Sequence, residues 1–328
     1  MKIDEKWSVR NDNGFEWWAD KNAQTIEIIG EEESPEGEKA YLISIRTDFL
    51  FSVELNEKNL KIINTLMMPY AHMAGPVYNH DAKTLSLCSL VRVHEGISEW
   101  INPLISVASV LQIGEVRIMG AEYAKLLNTK EAISSHPDNG VRSEPDEMAE
   151  LIATFIAPMG KEPCKWSEDE FQETVDNYMQ QPPSLMATNG GLGFTVEFPF
   201  GEESSLCRVK GEEAHPRLGN GLLLIQSFPV SGYTDVEGAK LALSLNAAEL
   251  TEKPSGYGFG SYSYGKNLIH FTSFYPNAIY RSGLLVNIYY SCANRAEAMS
   301  IHLEESEWTQ DSFDPKRSSI GKQILNDE

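Results

Sequence analysis

What the 328-residue sequence lacks excludes several classes of protein. Its 27 basic residues are outnumbered by 48 acidic ones, which gives a net charge of −21. A field of that sign repels phosphate backbones and anionic lipids, so we expect neither a nucleic acid nor a membrane surface as the partner. The four cysteines are widely separated and form no C-x-x-C pair, which predicts reduced thiols.

The sequence also has little that would direct it to a membrane. Its N-terminus contains no apolar stretch of the kind found in secretory signals. The longest mostly apolar stretch, Trp100–Ile113, is interrupted by polar residues and is shorter than the roughly 18 apolar residues that span a bilayer. Together with the cysteine pattern, this predicts a cytoplasmic protein.

Patterns typical of catalytic and metal sites are missing too. There is no G-x-S-x-G nucleophile motif, and no two of the seven histidines lie at i, i+4 spacing. Gly256–Gly260 has a glycine spacing similar to a nucleotide-binding loop, but a strand follows it, whereas a phosphate-binding loop opens a helix. We therefore predict a protein that is not an enzyme, with no catalytic residue, cofactor or metal.

The chain contains the same order of predicted elements twice, in residues 1–130 and 189–328. Each set has strands, a helix, a strand hairpin and a closing helix. Lys83 and Lys266 at the hairpin turns are 183 residues apart, and Asn64 and Asn246 in the first helices are 182 apart. This spacing predicts an α+β protein of two tandem repeats, each an antiparallel sheet flanked by two helices.

Local signals predict where several helices begin. Thr234–Glu237 has the form of a capping box and predicts a helix start in the second repeat. In the first closing helix, about Ile97–Gln112, proline is poorly accommodated in a helix interior. Pro103 therefore predicts either a helix start at that residue with Asn102 as the cap, which we favour, or a kink.

An acidic, partly helical connector, residues 131–188, separates the repeats. Its residues 131–183 include 12 acidic and 3 basic side chains. Two short helices are predicted there, Asp146–Ala157 and one that opens with a capping box at Ser167. Phe155 and Phe171 predict that these helices dock onto a repeat, because a solvated linker has no need of large apolar side chains.

Five segments of the two repeats together have a pattern known from one group of bacterial proteins. Three are in the second repeat and two, less clearly, in the first: Glu237–Asn246, Gly256–Phe259, Leu268–Phe271, Asn59–Asn64 and Leu85–Cys88. The pattern resembles the class I type III secretion chaperones and the YbjN-like proteins that share their α+β fold. The resemblance implies an acidic, non-enzymatic protein that holds a partner polypeptide in extended form. Two copies in one chain imply an internal pseudo-dimer and a monomer in solution, although the connector departs from the family pattern.

Aromatic residues are the candidates for contact with a partner protein. Trp17 and Trp18 are adjacent on a predicted strand, so one is expected in the core. The other is either exposed at an interface or covered by the connector. Tyr257 and Phe259 present the same alternatives in the second repeat.

The leading hypothesis is a protein-binding module that holds another polypeptide, possibly basic or partly unfolded, by strand addition and apolar grooves. The alternative is an immunity or regulatory protein that blocks one folded partner, its acidic surface imitating an anionic ligand. An enzyme of unrecognised type is a third, less favoured hypothesis.

Overall fold

The computed structural model describes residues 3–33, 37–70, 72–147, 149–150, 163–178, 186–187, 192–211 and 214–305. Across these residues the chain forms two antiparallel sheets and several helices, which confirms the predicted α+β class. A continuous apolar core includes side chains from both sheets and from the helices that cover them.

Seven strands form the first sheet. They are β1 (Ser8–Arg10), β2 (Gly14–Trp17), β3 (Gln24–Glu33), β4 (Lys39–Phe51), β5 (Gly75–Asn79), β6 (Thr84–Val93) and β7 (Lys130–Glu131). Their order is β1-β2-β3-β4-β6-β5, and β7 pairs with the end of β4.

Six strands form the second sheet. They are β8 (Met186–Ala187), β9 (Gly193–Phe200), β10 (Glu203–Lys210), β11 (Gly221–Pro229), β12 (Ser261–Gly265) and β13 (Leu268–Pro276). Their order is β8-β9-β10-β11-β13-β12. Strand β10 was not predicted, because only every second residue is buried and one of those is a serine, so its apolar signal is weak.

Five α-helices can be bounded within the described residues: α1 (Glu57–Ile62), α2 (Ser98–Leu126), α3 (Glu168–Tyr178), α4 (Asp235–Ala247) and α5 (Leu284–Glu305). Both α1 and α4 continue into a π-helical turn, Ile63–Met67 after α1 and Ala248–Glu252 after α4. Helix α2 covers the first sheet, and α5 covers the second.

A buried glutamine fixes each closing helix to its sheet. Gln24 Nε2 in β3 donates to the main-chain oxygen of Ser109 in α2 at 2.8 Å. Gln226 Nε2 in β11 donates to the main-chain oxygen of Cys292 in α5, also at 2.8 Å. Because an unpaired buried amide is costly, each bond favours one position of the helix over the sheet.

Helix α2 begins earlier than the proline predicts. It starts at Ser98, so Asn102 does not cap it and Pro103 lies inside it. Proline has no main-chain N–H, so one hydrogen bond of the helix is missing, the one that another residue at this position would donate to the main-chain oxygen of Glu99. The additional turn buries Ile101 completely, and that burial offsets the lost bond.

Both predicted capping boxes are confirmed. Glu237 N donates to Thr234 Oγ1 at 3.3 Å, and Thr234 N donates to Glu237 Oε2 at 2.8 Å. Ser167 and Glu170 make the same two bonds at the start of α3, and Phe171 docks on Phe194 of the second sheet, as predicted. Most of the predicted helix Asp146–Ala157, with Phe155, lies outside the described residues.

Candidate functional site

The two tryptophans predicted as contact residues are buried in the first half of the structure, which comprises residues 3–131. Trp17 is fully buried in the core and Trp18 is 2% exposed. The sequence left two alternatives for the second ring, exposure at an interface or cover by the connector, and in the structure the connector covers it. Trp18 Nε1 donates to Ser134 Oγ at 2.9 Å, and its ring meets His136 edge-on. A partner could reach either ring only if the protein opened.

Tyr257 and Phe259 lie where the second half, residues 192–305, meets the first. Phe259 is fully buried, and its ring stacks on the half-buried Tyr257. Tyr257 in turn packs against Trp100 of α2, with ring centroids 5.5 Å apart. These aromatic side chains therefore make a protein contact, but within one chain.

The two halves exchange main-chain hydrogen bonds in both directions. Leu90 in β6 and Gly258 before β12 bond to each other, N to O, at 3.3 and 3.1 Å. Conversely, Phe274 N in β13 donates to the oxygen of His72 before β5 at 3.1 Å. Leu90 and Phe274 lie beyond the residues that pair with β5 and β12. The segment before each hairpin thus extends the sheet of the other half.

Two asparagine side chains cover the outer edge of β12. Asn64 of the first half bonds to both the N–H and the oxygen of Tyr264, at 2.8 Å each. Asn246 of the second half accepts from Tyr262 N at 2.6 Å and donates to its oxygen at 3.3 Å. Because these groups are already paired, β12 offers little main chain for another strand to join.

We expect Gly258→Ala to lower the free energy of unfolding by about 2 kcal/mol. A Cβ at Gly258 would lie 2.4 Å from Leu90 O, so the main-chain pair between the halves would have to separate. Urea denaturation measures the change. Gly265→Ala is the matched control, because its Cβ would meet nothing within 4 Å. Equal stabilities of the two variants would contradict the prediction.

A largely buried ionic cluster lies between the halves. Glu115 in α2 faces Arg217 of the second half, with Oε2 2.5 Å from Nη1, and His72 Nε2 is 3.8 Å from the same oxygen. The His215 ring packs against the Phe274 ring at a tilt, with centroids 5.0 Å apart, and meets the His72 ring edge-on. We call His72, Glu115, His215 and Arg217 the interface cluster.

Burial acts in opposite directions on the pKa values of two members of the interface cluster, Glu115 and His215. Burial alone would raise the pKa of Glu115, but the neighbouring His72 and the charge of Arg217 outweigh it, so the pKa is lowered. Burial lowers the pKa of His215 to about 4, with further contributions from His72 and Arg217. His215 is therefore neutral at pH 7, while Glu115 is ionised.

A second buried ion pair connects the end of α4 to α5. Arg295 Nη2 lies 2.7 Å from Glu249 Oε1, and both residues are almost completely buried. Tyr262 OH donates to Glu249 Oε2 at 2.7 Å, and the guanidinium lies 3.6 Å above the Phe271 ring. Burial would lower the pKa of Arg295, but the Glu249 charge more than offsets this and the pKa is raised.

Sequence reasoning missed this pair, although one signal was present. Arg295 lies on the apolar stripe of the closing helix, between Cys292 and Met299 at helical spacing. A charged residue at such a position predicts a buried partner, since an unpaired buried charge is too costly. Its partner is 46 residues away in sequence, so no local pattern identifies it.

One face of the first sheet carries apolar side chains whose exposure increases away from α2. Ile26 pairs with Phe15 on one side and with the fully buried Ile45 on the other. In the next row Ile28 pairs with the half-buried Ile43, and Ile28 is 38% exposed. We call Phe15, Ile26, Ile28 and Ile43 the β2–β4 face.

The neighbouring strand β1 has an outer main-chain edge. Trp7 O accepts from Trp18 N and Asn11 N donates to Gly14 O, so by antiparallel alternation Ser8 and Arg10 direct their main-chain groups outward. A groove of about 610 Å³ lies here, lined in part by Ile3 and Phe15. Among the described residues no strand pairs with this edge of β1, so the β2–β4 face lies beside an open sheet edge.

Two other features noted in the sequence occupy ordinary structural positions. The Gly256–Gly260 segment leads into strand β12. Cys88, Cys164, Cys207 and Cys292 form no disulfide with one another. Within the described part of the chain, no group of three His, Cys, Asp or Glu side chains could hold a metal ion.

Helix α2 is longer than the predicted Ile97–Gln112. With the turn before it, Glu95–Leu126, it is long and apolar enough to cross a membrane, with a mean hydropathy of 1.4 in its apolar window. Half of that window is buried inside the protein, and the core helices of soluble proteins have the same length and composition. The helix is therefore weak evidence for a membrane span.

Comparison with known proteins leaves the chain without an assigned family. No protein-family model, curated protein or solved structure matches it.

Proposed function

We propose that this protein is a non-enzymatic, cytoplasmic protein-binding module that holds an extended polypeptide. The observation that carries the proposal is the half-exposed β2–β4 face beside the open edge of β1. Main-chain bonds to such an edge hold an extended chain, and every second side chain of that chain projects on the same side of the sheet as the β2–β4 face.

We further propose that the chain is a tandem duplication of a chaperone-like α+β unit. The strand orders β1-β2-β3-β4-β6-β5 and β8-β9-β10-β11-β13-β12 support this, because they correspond strand for strand. The reciprocal bonds of Leu90 with Gly258 and of Phe274 with His72 are the pattern expected of an internal dimer. Such an arrangement implies a monomer in solution.

The chemistry of the bound segment follows from the charge and shape of the surface. A net charge of −21 favours a basic segment, and the β2–β4 face favours apolar side chains at alternate positions. The proposed client is therefore an extended segment in which basic and apolar residues alternate.

We expect Ile28→Asp to weaken binding of a fluorescent peptide of alternating lysine and leucine by about tenfold, because a buried contact is replaced by a charge that must be desolvated. Fluorescence anisotropy measures the affinity. Ile118→Asp is the matched control, since Ile118 is similarly exposed but lies on α2.

Two further outcomes decide the mode of binding. A peptide of the same sequence with N-methylated main chain should bind more weakly, since it cannot add to a sheet edge. Equal effects of Ile28→Asp and Ile118→Asp would indicate binding through charge alone and would contradict the proposed site.

A further inference from the structure

Strand β1 is short, and its two ends are held in different ways. It has only three residues, and a short hairpin strand is marginally stable by itself. At the end where the chain turns into β2, Asn11 N donates to Gly14 O at 3.0 Å. At the other end, which is the open end of the β1–β2 hairpin, Trp18 N donates to Trp7 O at 2.9 Å. The pairing of β1 with β2 therefore depends on what supports this open end.

The connector supports the open end of the hairpin through Arg142. Its Nη1 donates to Trp18 O, after β2, at 2.6 Å, and its Nη2 lies 3.1 Å from Asp4 Oδ2, before β1. The guanidinium also lies over the Trp7 ring, 5.0 Å from its centroid. Arg142 is only 9% exposed, so water screens these contacts little. One arginine thus joins the residues that precede β1 to the residue that follows β2.

A tight turn of the connector, residues 136–140, lies just before Arg142. His136 and Gly140 exchange main-chain hydrogen bonds at 2.9 and 3.0 Å, and His136 Nδ1 accepts from Asp138 N at 3.1 Å. The His136 ring meets the rings of Trp7 and Trp18 edge-on. These bonds fix the shape of the turn, so the turn is a firm support for the open end of the hairpin.

Both ends of this part of the connector are fixed to the chain that follows β2. Ser134 N donates to Lys21 O at 3.0 Å, and Asp146 N donates to Ala19 O at 2.9 Å. We call residues 134–146 the strap. Because it is fastened at both ends, the strap holds Arg142 across the open end of the hairpin.

We propose that Arg142 is a positioning residue for the polypeptide site: it keeps β1 paired with β2, so that the outer edge of β1 is in place to bind an extended chain. This inference rests on the proposed function. Asp4, which Arg142 holds, also lines the groove beside β1. A client can add only to the paired strand, so its apparent affinity falls with the fraction of molecules in which β1 is paired.

The first test is Arg142→Gln in the full chain. We expect it to weaken binding of the fluorescent lysine–leucine peptide by about tenfold in an anisotropy titration, because β1 is then unpaired in most molecules. Charge alone predicts the opposite sign, since a protein that loses a positive charge attracts a basic peptide more strongly. Arg117→Gln is the matched control. It removes the same charge from an arginine that holds the connector at Ala149 O, and its affinity should not fall.

Hydrogen exchange reports on β1 directly. By antiparallel alternation Val9 directs its N–H toward β2, so this amide should be protected in the original chain and in Arg117→Gln. It should lose most of its protection in Arg142→Gln, while Ile225 in the central strand β11 stays protected and shows that the second half remains folded. If Arg142→Gln does not fold, Arg142→Lys replaces it, because lysine keeps the charge but lacks the forked guanidinium.

The outcomes separate this inference from the proposed function. Unchanged or tighter peptide binding by Arg142→Gln, or a Val9 amide that stays protected in it, would overturn the role of Arg142. If the original chain does not bind the peptide, the proposed function is contradicted instead. Exchange at Val9 then still decides whether Arg142 holds β1 in place.

Discussion

Glu249→Leu is expected to lower the free energy of unfolding by about 3–5 kcal/mol, because it leaves the Arg295 guanidinium buried without its counter-charge. Arg295 is fully buried, and its Nη2 and Nε both donate to the Glu249 carboxylate. The Tyr262 hydroxyl loses its acceptor in the same variant. Guanidinium denaturation followed by circular dichroism measures the loss.

The double variant Glu249→Leu/Arg295→Met is the matched control. It removes both charges and retains apolar volume, so we expect it to recover most of the lost stability. If the double variant were as unstable as Glu249→Leu, the loss would come from packing and not from an uncompensated charge. Recovery would show that the pair is required as a unit.

Acidification from pH 7 to pH 4.5 is expected to lower the free energy of unfolding by about 2–3 kcal/mol through His215 alone. The folded protein holds the pKa of His215 near 4, against an ordinary value of 6.5. As the pH falls through this window, the unfolded chain takes up a proton that the folded protein does not. The contribution of His215 to the free energy of unfolding is therefore fully present above about pH 6.5 and is lost progressively toward pH 4.

The variant His215→Gln isolates this effect, since glutamine does not titrate. We expect its stability to depend much less on pH between 7 and 4.5, and His80→Gln, at an exposed turn histidine, to behave like the original chain. Glu115 titrates below this window, because its pKa is lowered from 4.5. An unchanged pH dependence in His215→Gln would disprove the assignment.

The elements that sequence reasoning predicted well are those whose signals are local. The capping boxes at Thr234 and Ser167 depend on residues three apart, and the stripe from Leu284 to Ala296 depends on helical periodicity. The start of α2 was predicted wrongly, because burial of Ile101 outweighs the local preference of Pro103.

The burial of the candidate site residues could not be predicted, because it depends on contacts between residues that are far apart in the sequence. The cover of Trp18 comes from Ser134, and the edge of β12 is closed by Asn64, which is 200 residues from Tyr264 in sequence. The β2–β4 face could not be predicted either, since whether a half-apolar strand face is exposed depends on where α2 ends over the sheet.

By itself the sequence determined the α+β class, the acidic charge and the two capped helix starts, because these follow from composition and from patterns of a few residues. Only the tertiary structure decided which aromatic rings are covered, which charges are buried together and which sheet edge stays open. Those outcomes depend on burial, and burial is set by side chains that are distant in sequence, as Glu249 and Arg295 are.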